Sequence, residues 1–228
     1  MYGKGYDLAG TFRSDGLQWQ PDESAMWGSD GVTFTTDALA AAYEPPAGRS
    51  VVLGKAAAVS AFLDVAPADA TTPDRIVCVA NLHALKRIGD LVAALARLVP
   101  DVPGVSLRCV GADERGEGAR VMRLAQALGV SDRCELVGRQ DDVRSHLAAA
   151  RVFALASGRE GVPTAMLEAM AAARPVVVTD VGHVRTVVRD GIEGFVVPVG
   201  DVERLATRLR QLLRDRSLAR RMGHAGRL

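Results

Sequence analysis

From Asp74 onward the chain alternates short, β-branched apolar runs with helical stretches, and nothing else in the sequence constrains the fold as much. The runs are RIVCVA at 75–80, SLRCV at 106–110, CELVG at 134–138, VFALA at 152–156, PVVVT at 175–179 and GFVVP at 194–198. Runs this uniformly apolar predict strands of a parallel sheet with helices on both faces. The spacing predicts those helices at 88–98, 118–128, 142–149, 163–173 and 202–213, with a last short one from Ser217 toward His224. The expected class is therefore α/β. No fixed-period repeat is present, which argues against a solenoid.

Before Asp74 the pattern differs. Residues 1–50 hold both tryptophans, Trp19 and Trp27, many Gly and Asp, and no sustained periodicity. A strand at 32–35, a helix capped by Thr36 or Asp37, a Pro-Pro turn and a strand at 51–53 together predict one small βαβ fragment. The stretch DVAPADATTPD has no period and reads as a linker. The expected organisation is a small first domain over 1–66, a linker at 67–74 and a large domain over 75–228. The two tryptophans are read as packing of the first domain rather than as stacking platforms for a ligand.

Twenty-eight Lys and Arg against 27 Asp and Glu leave a net charge of +1, so charge gives no reason to expect a nucleic-acid partner. Three separated cysteines in strand-like runs read as buried, reduced thiols of a cytoplasmic protein rather than disulfides or a metal site. No run approaches the length of a membrane span. The arginine-rich tail from Arg204 to Arg227 invites a membrane or partner reading, but a solvated helical face is preferred.

Among possible ligand loops, GADERGEG at 111–118 has Glu117 where a phosphate-binding loop needs lysine, so it is read as a turn and helix start. No metal-ligand spacing, nucleophile elbow or dinucleotide fingerprint occurs. SGREGVPTAMLEAM at 157–170 is different. Pro163 suits the first position of a helix, whose free amides around Gly161, Val162 and Thr164 and positive dipole end favour an anion such as a diphosphate. This helix is apolar enough to expect burial on nearly all sides, yet it carries Glu168, about 7 to 8 Å along the axis from its start. Glu160 stands just outside. Two carboxylates bracketing one anion site suit the vicinal hydroxyls of two sugars, a ribose at Glu168 and a transferred hexose at Glu160. The same residues also fit a structural role, with Glu168 paired to a buried arginine and Glu160 solvated. The residues alone leave both open.

GREGVPTAMLEAMAAARPVVVTDVGHVRTVVRDGIEGFVVPVGD resembles the nucleotide-sugar-binding domain of retaining glycosyltransferases of family 4, whose GT-B fold pairs two Rossmann-like domains. The resemblance implies that Glu160 contacts the donor sugar and Glu168 the ribose. It also places the backbone near Gly161, Val162, Pro163 and Thr164 along the diphosphate and sugar. VCVANLHALKRIGDLVAAL resembles the family's first strand, basic loop and helix, which puts Lys86 on the lysine that neutralises the leaving diphosphate. RCELVGRQDDV resembles the loop near the base, with Gly138 and Arg139 as contacts. The implied donor is a UDP- or GDP-sugar, with no cofactor and no obligatory metal, and the implied acceptor is unknown.

Several positions depart from the family pattern. Asn81 stands where relatives carry an arginine that shares the diphosphate charge, and loss of a cation weakens stabilisation of the departing nucleotide. Arg87, Arg139 and Arg159 are candidates to compensate. Arg185 and Thr186 replace a Pro-Glu pair, and Ala173 replaces a glycine. Only the last βαβ fragment of an acceptor domain is recognisable, and the tail stops before the family's final helix. The expectation is a nearly isolated donor-binding half, with a partner supplying the missing acceptor domain. A binding module or pseudoenzyme without transfer activity is the alternative. An epimerase sharing the fold ranks below it, and an NAD dehydrogenase last.

Overall fold

The computed structural model describes residues 59–113 and 115–227 and, before them, the backbone of four short strands at 11–12, 19–20, 32–34 and 50–52. The chain forms two compact units, Met1–Ala56 and Ala57–Leu228. In the first, β1 (Thr11–Phe12) pairs antiparallel with β2 (Trp19–Gln20), and β3 (Val32–Phe34) pairs parallel with β4 (Ser50–Val52). Parallel neighbours need a crossover, in keeping with the βαβ reading. The helix expected after Thr36 or Asp37 and the packing of Trp19 and Trp27 lie outside the described residues. The β1–β2 pair adds to the sequence reading, since two-residue strands carry no period to detect.

The second unit is built on six parallel strands: β5 (Arg75–Val79), β6 (Ser106–Val110), β7 (Cys134–Gly138), β8 (Val152–Leu155), β9 (Val176–Thr179) and β10 (Gly194–Val197). Their order across the sheet is β10-β9-β8-β5-β6-β7. The chain thus winds outward from β5 to β7, crosses back to the other side of β5, and winds outward again. Such a doubly wound sheet has its ligand crevice where the winding reverses, beyond the carboxyl ends of β5 and β8. Each strand lies within one residue of its expected position, and most of the runs are buried on both faces; β7, with one buried residue, is the exception. Every residue of β8, β9 and β10 is buried.

The helices are α1 (Ile88–Leu98), α2 (Glu117–Ala127), α3 (Arg144–Ala148), α4 (Thr164–Ala171), α5 (Val202–Arg214) and α6 (Arg216–Arg227). In α1, Ile88, Leu91, Val92, Leu95 and Leu98 recur at helical spacing and are fully buried, each worth about 1.5–3 kcal/mol. That face packs beside α5 and α2, whereas α4 packs against α6 and a single turn at Ser60–Phe62. The arginine-rich tail is only partly a solvated face: Arg208 stacks over Phe195 at 4.4 Å, and Arg210 pairs with Asp101 at 2.6 Å.

Two expectations for α4 are corrected. It is buried along one stripe, through Met166, Ala169, Met170 and Ala171, rather than on nearly all sides. Thr164, Ala165, Leu167 and Glu168 are half-buried, because strands and α6 cover only part of its circumference. Pro163 is the cap and not the first helical residue, since its ψ of 120° is extended. The far end stops in a left-handed closure: Ala173 donates to the carbonyl of Met170 and Arg174 to that of Ala169, both at 2.9 Å. Ala173 sits at φ 52°, where a β-carbon costs about 1–2 kcal/mol. α6 crosses at this point through Gly223, whose missing β-carbon would lie 2.2 Å from the Ala173 carbonyl oxygen.

The stretch at 67–74, expected as a linker, is fixed onto the second unit. Arg151 donates to Asp74 Oδ1 at 2.9 Å and to the Asp69 carbonyl at 3.2 Å, and also reaches the Thr72 carbonyl. Arg174 reaches the carbonyl of Ala66, Arg227 that of Val65 and Arg216 that of Ala70. Burial, reinforced by Arg227 and Arg151, pulls the Arg174 guanidinium down to about 10. The Asp69 carboxylate accepts from the backbone of Thr71 and Thr72, closing a tight turn.

Candidate functional site

The site lies at the reversal of the sheet and is built from two loops. Leaving β5, the chain is held against the β6 loop, with Leu82 N–H donating to the Ala112 carbonyl at 2.7 Å and Asn81 Oδ1 accepting from Ala112 N–H at 3.2 Å. His83 Nδ1 then caps the short turn Ala84–Lys86 by accepting from Leu85 N–H at 3.2 Å. Arg87, at φ 49°, turns the chain into α1. Lys86 is thereby presented on a single rigid turn.

Leaving β8, the loop at 157–161 is anchored on several sides. The carbonyl of Ser157 accepts from Thr179 Oγ1 at 2.6 Å, Gly158 N–H donates to the Leu85 carbonyl at 2.7 Å, and the Gly161 carbonyl accepts from His183 N–H at 3.1 Å. Gly182 lies so close that a β-carbon there would stand 2.1 Å from the Glu160 carbonyl oxygen. The two loops meet through their charges. Lys86 Nζ lies 2.5 Å from Glu160 Oε1, and Ser157 Oγ donates to the same oxygen at 2.7 Å. The lysine side chain keeps 27% exposure and the glutamate 13%, so the pair is sheltered but open to a ligand.

Beyond Glu160, the N-cap of α4, Pro163, gives its first turn no side-chain hydrogen bond. Val162 and Pro163 are buried, Thr164 is half-buried, and the space above Gly161 is open. Glu168 is half-buried in the second turn. On the other side of β5, a cavity of about 400 Å³ is lined by Ala80, Asn81, Gly111, Ala112, Arg139 and Gln140 together with three valines. Its floor depends on Gly111, where a β-carbon would stand 2.1 Å from the Ala80 carbonyl oxygen. Gly138, at φ 79°, accepts from Gly111 N–H at 2.9 Å and turns the chain so that Arg139 reaches the cavity edge. Lys86 and Glu160 are thus joined directly, Asn81 and Arg139 border one cavity, and Gly161 to Glu168 line the helix start.

The 111–118 loop behaves as its glutamate implies. Asp113 Oδ2 accepts from Gly118 N–H at 3.1 Å, so a carboxylate already fills the start of α2. Cys78 and Cys109 face each other across β5 and β6; the hydrogen bond between them and burial push the Cys109 thiol up, and burial pushes Cys134 to about 11. All three thiols are free and buried. Among the described residues no cluster of metal-ligating side chains occurs and no helix is long and apolar enough to cross a membrane. Sequence reasoning missed Ser157, Thr179 and Gly182. The available signal was a small polar residue directly after a fully buried strand.

Comparison with known proteins places the chain. It is 34% identical over 152 residues to an N-acetyl-alpha-D-glucosaminyl L-malate synthase of Bacillus anthracis, covering 67% of this chain and 39% of that protein. It is 36% identical over 160 residues to the lipopolysaccharide core biosynthesis glycosyltransferase LpsE of Rhizobium meliloti, covering 70% and 44%. The chain therefore spans less than half the length of these relatives. A crystal structure of S. aureus TarM in complex with fondaparinux, alpha-GlcNAc-glycerol and UDP superposes with a TM-score of 0.77 at 19% identity, covering 90% of this chain and 41% of that one. The fold is thus one Rossmann-like half of a GT-B glycosyltransferase. Residues 63–228 match the glycosyl transferases group 1, and the chain belongs to that family.

Proposed function

We propose that the second unit is the donor-binding half of a retaining glycosyltransferase that takes a hexose from a UDP- or GDP-sugar. The observation that carries this reading is the Lys86–Glu160 pair at the reversal of the sheet, where a doubly wound fold binds ligands. In this reading an incoming donor separates the pair. Lys86 turns to the diphosphate, whose bond to the anomeric carbon breaks while the acceptor hydroxyl adds on the same face and passes its proton to the departing diphosphate oxygen. Glu160, steadied by Ser157, accepts from the sugar hydroxyls. The start of α4 faces the diphosphate, Glu168 the ribose, and the cavity beside Gly138 and Arg139 receives the base. The UDP bound by the TarM structure supports a uridine donor.

Lys86 and the helix dipole, rather than an obligatory metal, meet the leaving charge, so a chelator added to a transfer assay is expected to leave turnover unchanged. A cytoplasmic location belongs to the same reading, because three buried free thiols fit a reducing compartment. The acceptor is held by a further domain and is not assigned by residues 57–228. Calorimetric titration of the folded chain with UDP and with GDP tests the donor site: saturable binding of one is expected, and no affinity for either removes the proposal. A radiolabelled-donor assay in which Glu160→Ala abolishes transfer then separates an enzyme from a binding module.

A further inference from the structure

A diphosphate is multiply anionic, whereas the Lys86–Glu160 pair sums to no charge, so a second cation beside Lys86 and the α4 dipole would strengthen the hold of the proposed donor site on its ligand. Of the arginines in the loops beyond the carboxyl ends of the strands, Arg185 pairs with Asp180 at 2.8 Å and Arg115 lies outside the cavity lining, which leaves Arg87, Arg139 and Arg159. Arg87 is committed, its Nε donating to Asp90 Oδ2 at 2.8 Å. Its guanidinium also leans toward Gly200 after β10, with Nη2 3.2 Å from where a β-carbon there would stand. That is the side of the sheet away from the cavity. Arg159 is engaged within the protein.

Arg139 differs on each count. It is exposed, makes no hydrogen bond or ion pair among the described residues, and is the charged side chain in the cavity lining. Asn81 borders the same cavity from β5, the strand whose loop carries Lys86. The cavity therefore has a neutral amide on the wall nearest the lysine loop and an uncommitted guanidinium on the wall opposite. Guanidinium geometry matches a phosphate with two parallel hydrogen bonds. We infer that Arg139 is a phosphate-binding residue that reaches along the rim of this cavity, past the base, to the diphosphate and supplies the positive charge that Asn81 does not. This assignment rests on the proposed donor site.

The experiment measures affinity of the full chain and its variants for UDP, GDP, uridine and guanosine by calorimetry, with thermal denaturation confirming the fold. Arg139→Gln is expected to weaken binding of the preferred diphosphate about ten- to a hundredfold while changing that of the matching nucleoside little. Asn81→Arg introduced into the Arg139→Gln chain is expected to recover most of the loss, because it returns a cation to the same cavity. If Arg139→Gln weakens nucleoside and diphosphate equally, the residue serves the base or ribose and the inference is overturned. Unchanged diphosphate affinity in Arg139→Gln overturns it as well, while the donor-site reading stands on wild-type binding. Failure of the wild-type chain to bind either diphosphate sinks the donor site itself.

Discussion

At the amino ends of β8 and β9, Arg151 and Arg174 are 1% and 0% exposed and bond to the 65–74 segment, Arg151 to the Asp74 carboxylate and two carbonyls and Arg174 to the Ala66 carbonyl. At the carboxyl ends of β5 and β7, Lys86 and Arg139 stay accessible, one paired with a carboxylate and the other with nothing among the described residues. The same kind of charge is therefore used in two ways. Cations that hold the chain together are desolvated and matched to groups that never leave. Cations that can serve a ligand are matched only to partners that a ligand can replace.

Substitutions at the two ends should separate activity from stability. Under the proposed function, Lys86→Ala is expected to lower sugar transfer about a hundredfold or more with little change in melting temperature, and an equal loss of stability would erase the contrast. Arg151→Ala should do the reverse, lowering unfolding free energy by about 3 kcal/mol in denaturant titration, because Asp74 and two carbonyls lose their donor. Ala173→Gly is expected to stabilise the fold by about 1 kcal/mol by relieving the left-handed β-carbon, read as a shifted denaturant midpoint. The smallest effect is expected for Arg174→Met. Two of its buried nitrogens have no partner among the described residues, so an apolar chain of similar length should change stability by about 1 kcal/mol or less in either direction. A large loss there would show that the amino-end arginines act as one unit.

The strands were legible because burial on both faces leaves a one-dimensional trace: RIVCVA and PVVVT admit few other readings. Lys86, Glu160 and Glu168 were expected from motif order, and the structure brings the first two together. What was hidden depends on contacts distant in sequence. Arg151 and Arg174 stand directly before strands, and nothing local shows that their targets lie about eighty and a hundred residues earlier. DVAPADATTPD reads as a linker for the same reason, since its order comes from outside itself. The half-open face of α4 was missed because composition cannot tell a covered alanine from an uncovered one. Ser157 was passed over because a serine after a strand is ordinary until its hydroxyl is seen on Glu160.

The anchoring of the 157–161 loop bears on the thermodynamics of recognition. Holding a residue's backbone in one conformation costs about 1–2 kcal/mol, and here Thr179, Leu85, His183 and Gly182 have already imposed that order before any sugar arrives. Under the proposed function, complex formation forfeits little freedom in the protein, and discrimination between carbohydrates falls to the fit of individual hydroxyls against a carboxylate aimed in advance.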